Sequence, residues 1–91
     1  MLKNRILIVD DEPDIAQVLK MGLEDNGFAV DVYNDPLDVI SNFETDSYDL
    51  LLIDIKMPKM KGFELYNKLH QKDEKAKICF ITAYELYYDD F

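Results

Sequence analysis

Four short apolar segments alternate along the chain with longer stretches whose apolar positions recur at helical spacing. Ile6-Leu7-Ile8-Val9 is continuously apolar and rich in β-branched residues, and it stops at Asp10-Asp11-Glu12. A run of this kind predicts a strand buried on both faces. Pro13 then suits a first helical turn, and Ile15, Val18, Leu19 and Leu23 predict the inward face of a helix that ends at Asn26-Gly27. Phe28, Val30 and Val32 alternate with Ala29, Asp31 and Tyr33, the signature of a half-buried or edge strand. Asp35-Pro36 reads as an N-cap followed by proline, opening a second helix with Leu37, Ile40 and Phe43 turned inward. Leu50-Leu51-Leu52-Ile53 is again wholly apolar and again ends at an acid, Asp54. The loop Ile55 to Gly62 leads into a third helix carrying Leu65, Tyr66 and Leu69, and Ile78-Cys79-Phe80-Ile81 is a fourth strand ending at Thr82.

Strands that alternate with helices imply a parallel α/β sheet with right-handed crossovers, because parallel neighbours need a long connection. In such a sheet a ligand site lies beyond the carboxyl ends of the strands, where strand order reverses. The residues at those ends are Asp10, Asp11, Asp54 and Thr82.

Composition narrows the partners. Nineteen acidic against ten basic side chains give a formal charge of -9 over 91 residues, which repels nucleic-acid backbones and anionic lipid headgroups. No run approaches the roughly 20 apolar residues of a membrane span, so the expectation is one small domain in the cytoplasm. Cys79, lying inside an apolar run, is expected to be a small buried thiol, and His70, among Lys68, Gln71 and Lys72, a solvated imidazole. Lys56, Lys59 and Lys61 read as a surface loop of lysines.

Three carboxylates converging at strand ends repel one another unless a cation sits among them. Magnesium suits that role, since it takes one or two carboxylates and keeps positions for water and phosphate oxygens. A carboxylate can attack phosphorus to form an acyl phosphate, and a hydroxyl such as that of Thr82 could donate to a phosphoryl oxygen. Taken alone, Asp10-Asp11-Glu12 is equally an acidic helix start favoured by the helix dipole.

Ile6 to Asp11 followed by Glu12-Pro13, then DLLLIDIKMPKMKG from Asp49 to Gly62, then Phe80-Ile81-Thr82-Ala83, resemble the receiver domain of two-component response regulators. The resemblance covers nearly the whole chain. It implies a flavodoxin-like, doubly wound parallel sheet of strand order 2-1-3-4, with Asp54 as phosphoacceptor and Asp11 as a direct magnesium ligand. It further implies that Asp10 acts mainly through a bound water, that the backbone carbonyl of Lys56 completes the protein's share of the metal shell, and that Thr82 is the switch hydroxyl. The implied partners are a sensor histidine kinase or phosphotransfer protein and an output protein reached by contact. Lys56 and Tyr84 stand at positions flanking the site, where they are expected to set water access to the phosphoryl group.

A complete receiver continues through a fourth helix, a fifth strand ending in a lysine and a fifth helix, whereas this sequence stops at Phe91. The expectation is an incomplete receiver over residues 1–91 that lacks the fifth strand, the fifth helix and the phosphate-pairing lysine. The fourth strand would then be a sheet edge open to pairing. Tyr84, Tyr87, Tyr88 and Phe91 fall at i, i+3, i+4 and i+7, so the tail can form an aromatic helical stripe, and a homodimer through this stripe and edge is expected. The alternative is a pseudo-receiver, an assembly module that works without phosphorylation. A phosphatase of the haloacid dehalogenase type is a third reading; Asp10 and Glu12 have its spacing, but Pro13 departs from its pattern and the chain is too short for its later motifs.

Overall fold

The computed structural model describes residues 4–81. In chain order the elements are β1 (Arg5–Val9), α1 (Pro13–Asp25), β2 (Ala29–Tyr33), α2 (Pro36–Asn42), β3 (Leu50–Asp54), α3 (Gly62–Lys72) and β4 (Lys77–Ile81). All strand pairs are parallel and the sheet order is β2-β1-β3-β4, the flavodoxin-like arrangement, with no fifth strand among the described residues.

The apolar runs Ile6 to Val9 and Leu50 to Ile53 are the two central strands, covered on both faces, whereas the third, Ile78 to Ile81, forms the edge strand β4. One face of the sheet carries Leu7, Val9, Leu51 and Ile53, packed against Val39 of α2 and Leu65 and Leu69 of α3. The other carries Ile6, Ile8, Val30 and Leu52, closed by Ala16, Leu19 and Leu23 of α1. Leu65 and Leu69 are fully buried, each contributing about 1.5–3 kcal/mol by leaving water.

Helix boundaries follow local chemistry. Pro13 occupies the first turn of α1, and Gly27 beyond its end takes φ +92°, a left-handed conformation natural to glycine after a helix. Asp35 caps α2, its carboxylate accepting the Leu37 N–H at 2.9 Å. Below α3, buried Asp73 accepts the N–H groups of Asp46 and Lys75, which holds Asp46 at its left-handed φ of 64°. On the edge strand β2 the Asp31 carboxylate accepts from both the Tyr48 hydroxyl and the Arg5 guanidinium at 2.7 Å. The Tyr48 hydroxyl, and after it Arg5, hold Asp31 below the usual carboxylate range.

Val18, Leu37 and Cys79 do not sit where the apolar pattern predicts. Val18 is 70% exposed, because the sheet-facing side of α1 is set by Ala16, Leu19 and Leu23, and two residues turn about 200° around a helix from Ala16. The same geometry turns Leu37 outward, two residues from buried Val39, while Ile40 and Phe43 pack inward. Cys79 is exposed rather than buried. It alternates with Ile78 and Phe80, which face α3, so its side chain projects from the other face of β4, and α1 covers that face over β1 and β2 instead.

Candidate functional site

Parallel register brings the acids together. Val9 pairs with Ile53 and Asp54 pairs with Ile81, so Asp10 and Asp11 leave β1 beside the end of β3. Asp10, Asp11 and Asp54 each offer a carboxylate oxygen, and these atoms all lie within 4.8 Å of one another. Asp10 and Asp54 are 1% and 2% exposed, whereas Asp11 is half-buried at the mouth.

Each buried acid has one oxygen held by backbone. Asp10 Oδ1 accepts the Glu12 N–H at 2.9 Å, and Asp54 Oδ1 accepts the Lys56 N–H at 3.1 Å. Asp10 Oδ2 is buried and has no partner. An orphaned carboxylate oxygen is costly unless something occupies the space beside it. Burial pushes the Asp54 carboxyl up to about 7; the Lys56 N–H opposes the shift, and the charge of Asp10 adds to it. An oxygen-only donor set with one orphaned atom and one carboxyl so raised fits a hard divalent cation such as magnesium better than zinc or another soft metal.

The loop from Ile55 to Lys61 is pinned at its base, where the Gly62 N–H donates to the Ile55 carbonyl at 2.9 Å, and by buried Met57. A groove of about 570 Å³ opens beside it, lined by Asp11, Ile55, Lys56, Met57, Pro58, Lys61 and Phe63. Of the residues singled out in the sequence, Asp10, Asp11, Asp54 and Lys56 converge here. Thr82, Tyr84, Tyr87, Tyr88 and Phe91 lie outside the described residues.

The chain as a whole is similar to known proteins. The model of the response regulator receiver domain matches residues 6–89. The chain belongs to the response regulator receiver domain family. It is 35% identical over 85 residues to the transcriptional regulatory protein DltR of Streptococcus agalactiae, covering 93% of this chain and 38% of DltR, so it spans well under half of that regulator. Among solved structures it is similar to the response regulator TrrA of Thermotoga maritima in complex with Mg(2+)-BeF, with a TM-score of 0.81 and 37% identity over 100% of this chain and 77% of that one. A complex of the histidine kinase ThkA with TrrA matches with a TM-score of 0.80 and 38% identity over 97% of this chain and 74% of that chain. Receiver domains are signalling domains of two-component systems rather than free-standing enzymes. Among the described residues no helix is long and apolar enough to cross a membrane.

Asn34, near this receiver's site, is not singled out by the sequence, and Lys59 is read there only as one of a surface loop of lysines with no partner. The Asn34 side-chain amide donates to the Asp10 carbonyl at 2.8 Å, and the Lys59 ammonium lies 2.7 Å from Asp35 Oδ2. The only linear signal for either is the acid-proline pair at Asp35-Pro36, which reads as a helix cap and says nothing of a partner 24 residues away.

Proposed function

We propose that this receiver accepts a phosphoryl group on Asp54 from a sensor histidine kinase or phosphotransfer protein in the cytoplasm, with magnesium held by Asp10, Asp11, Asp54 and the Lys56 carbonyl. The observation that carries the reading is the convergence of three carboxylates around an unpartnered oxygen of Asp10 at the strand ends. Histidine-kinase partnership is supported by the similarity to TrrA in its kinase complex. Magnesium is supported by the similarity to TrrA with Mg(2+)-BeF.

In this reading Asp54 is the nucleophile. Its Oδ1 accepts the Lys56 N–H, which fixes the carboxylate plane and leaves Oδ2 for attack on phosphorus. The O–P bond forms as the N–P bond of the donor phosphohistidine breaks, and the electron pair returns to the imidazole. Asp10, shut away from solvent and anchored by the Glu12 N–H, orients the cation side of the site, and Asp11 closes it at the mouth. Bound magnesium supplies positive charge against the carboxylates and the transferring phosphoryl oxygens. Thr82 is assigned the switch hydroxyl, and the output is by protein contact. Incubation with magnesium and acetyl phosphate should add the mass of one phosphoryl group to the wild-type chain and none to Asp54→Asn. No gain in the wild type would sink the assignment.

One observation favours a second reading, assembly without phosphorylation. β4 pairs only with β3, so among the described residues its outer edge has no strand partner. A homodimer through that edge, with Tyr84, Tyr87, Tyr88 and Phe91 contributing, would give a doubled mass by light scattering whether or not Asp54 is phosphorylated.

A further inference from the structure

We propose that the Lys59–Asp35 ion pair is a positioning latch that holds the tip of the β3–α3 loop across the acidic cluster and so preorganises the receiver to bind magnesium. The proposal rests on the magnesium reading above and adds residues that lie outside the acidic cluster.

The geometry is that of a closed circuit. Asp54 at the end of β3 leads into the loop, whose Met57 is buried and whose base is tied by the Gly62 N–H to the Ile55 carbonyl. From the exposed tip, Lys59 Nζ reaches Asp35 Oδ2 at 2.7 Å, joining two loops 24 residues apart. Asp35 is itself fixed, because its Oδ1 accepts the Leu37 N–H and Pro36 beside it is buried. Next to Asp35, Asn34 donates its side-chain amide to the carbonyl of Asp10, and the Asp10 N–H donates to Tyr33. The path therefore returns to Asp10, whose carboxylate faces Asp54.

Ordering this circuit before the cation arrives spares the cation the cost of doing so. Groups that orient ligands in this way are felt in metal affinity even though they never touch the metal. The Lys59 side chain is 58% exposed, so water screens the pair and its effect is small and salt-sensitive. The electrostatics agree with a working pair: Lys59, and then the Leu37 N–H, hold Asp35 below the usual carboxylate range, and Asp35 raises the Lys59 ammonium.

The test is calorimetric titration of the full chain with MgCl2 at low ionic strength, alongside melting of the metal-free protein. Lys59→Ala and Asp35→Asn should each weaken magnesium binding about threefold relative to wild type. Asparagine retains a cap acceptor for Leu37, so α2 stays formed. The double variant should be no weaker than either single one, Lys59→Arg should keep wild-type affinity, and 0.5 M KCl should bring the variants level with the wild type. Unchanged affinity in both single variants, or additive losses in the double variant, would overturn the latch while leaving the magnesium site standing. A lower melting temperature with unchanged affinity would likewise overturn it and assign the pair to stability alone. Failure of the wild type to bind magnesium would instead sink the site reading and the latch with it.

Discussion

A Cβ built on Gly62 would overlap the carbonyl oxygen of Asp54 and lie 3.0 Å from its carbonyl carbon and from Ile55 Cα. The first turn of α3 therefore presses on the backbone of the acid at the centre of the site. Glycine is required here by space and not by an unusual φ, and the neighbour is backbone that has little freedom to move.

Gly62→Ala should cost about 1–3 kcal/mol of stability by overpacking, and it should disturb the Asp54 backbone as well. Urea denaturation reads the first effect and the loss of magnesium binding the second. A wild-type midpoint for the variant would show that the contact yields more easily than close packing allows.

Replacing Asp54 tests the electrostatic strain of the cluster. The folded carboxyl is pushed up to about 7 from an ordinary 3.8, so between those values the folded chain binds more protons than the unfolded chain. Stability of the metal-free protein should then fall as pH rises across that window, with the loss complete above about 7. Asp54→Asn should remove this slope and stabilise the metal-free protein at pH 8 by about 1 kcal/mol after solvent screening, or about 4–8 °C in melting temperature. The same variant should lose most of the stabilisation that magnesium gives the wild type. A metal-free wild type that gains stability from pH 5 to 8 relative to Asp54→Asn would contradict the sign.

Two aliphatic positions that both fit a helical period in the sequence should behave differently. Val18→Asp, at a 70% exposed position, should change stability by no more than about 0.5 kcal/mol. Leu65→Ala, at a fully buried one, should cost about 2–5 kcal/mol. Equal losses by chemical denaturation would place Val18 in the core after all.

Much of the architecture was legible in the linear pattern. β1 and β3 could be read as central strands because Ile6 to Val9 and Leu50 to Ile53 leave no polar face to turn toward water. Both ends of α1 and the start of α2 could be read because Pro13, Gly27, Asp35 and Pro36 act through their own backbone or a bond to the next turn. Helical faces were less legible. Val18 and Leu37 match a helical period as well as Ala16 and Val39 do, and only the direction of the sheet separates them.

By itself, the sequence determined that acids would stand at the carboxyl ends of buried strands, since an apolar run that meets Asp10-Asp11 or Asp54 must end there. It also carried the receiver pattern around them. What only the tertiary structure decided was how those groups are constrained: the unpartnered Oδ2 of Asp10, the rise of the Asp54 carboxyl, the pressure of Gly62 and the reach of Lys59 to Asp35. The division has a physical cause. Strand and helix signals are local, written in neighbouring residues, whereas burial and charge coupling depend on side chains brought within a few ångström by the sheet register and by loop closure across dozens of residues.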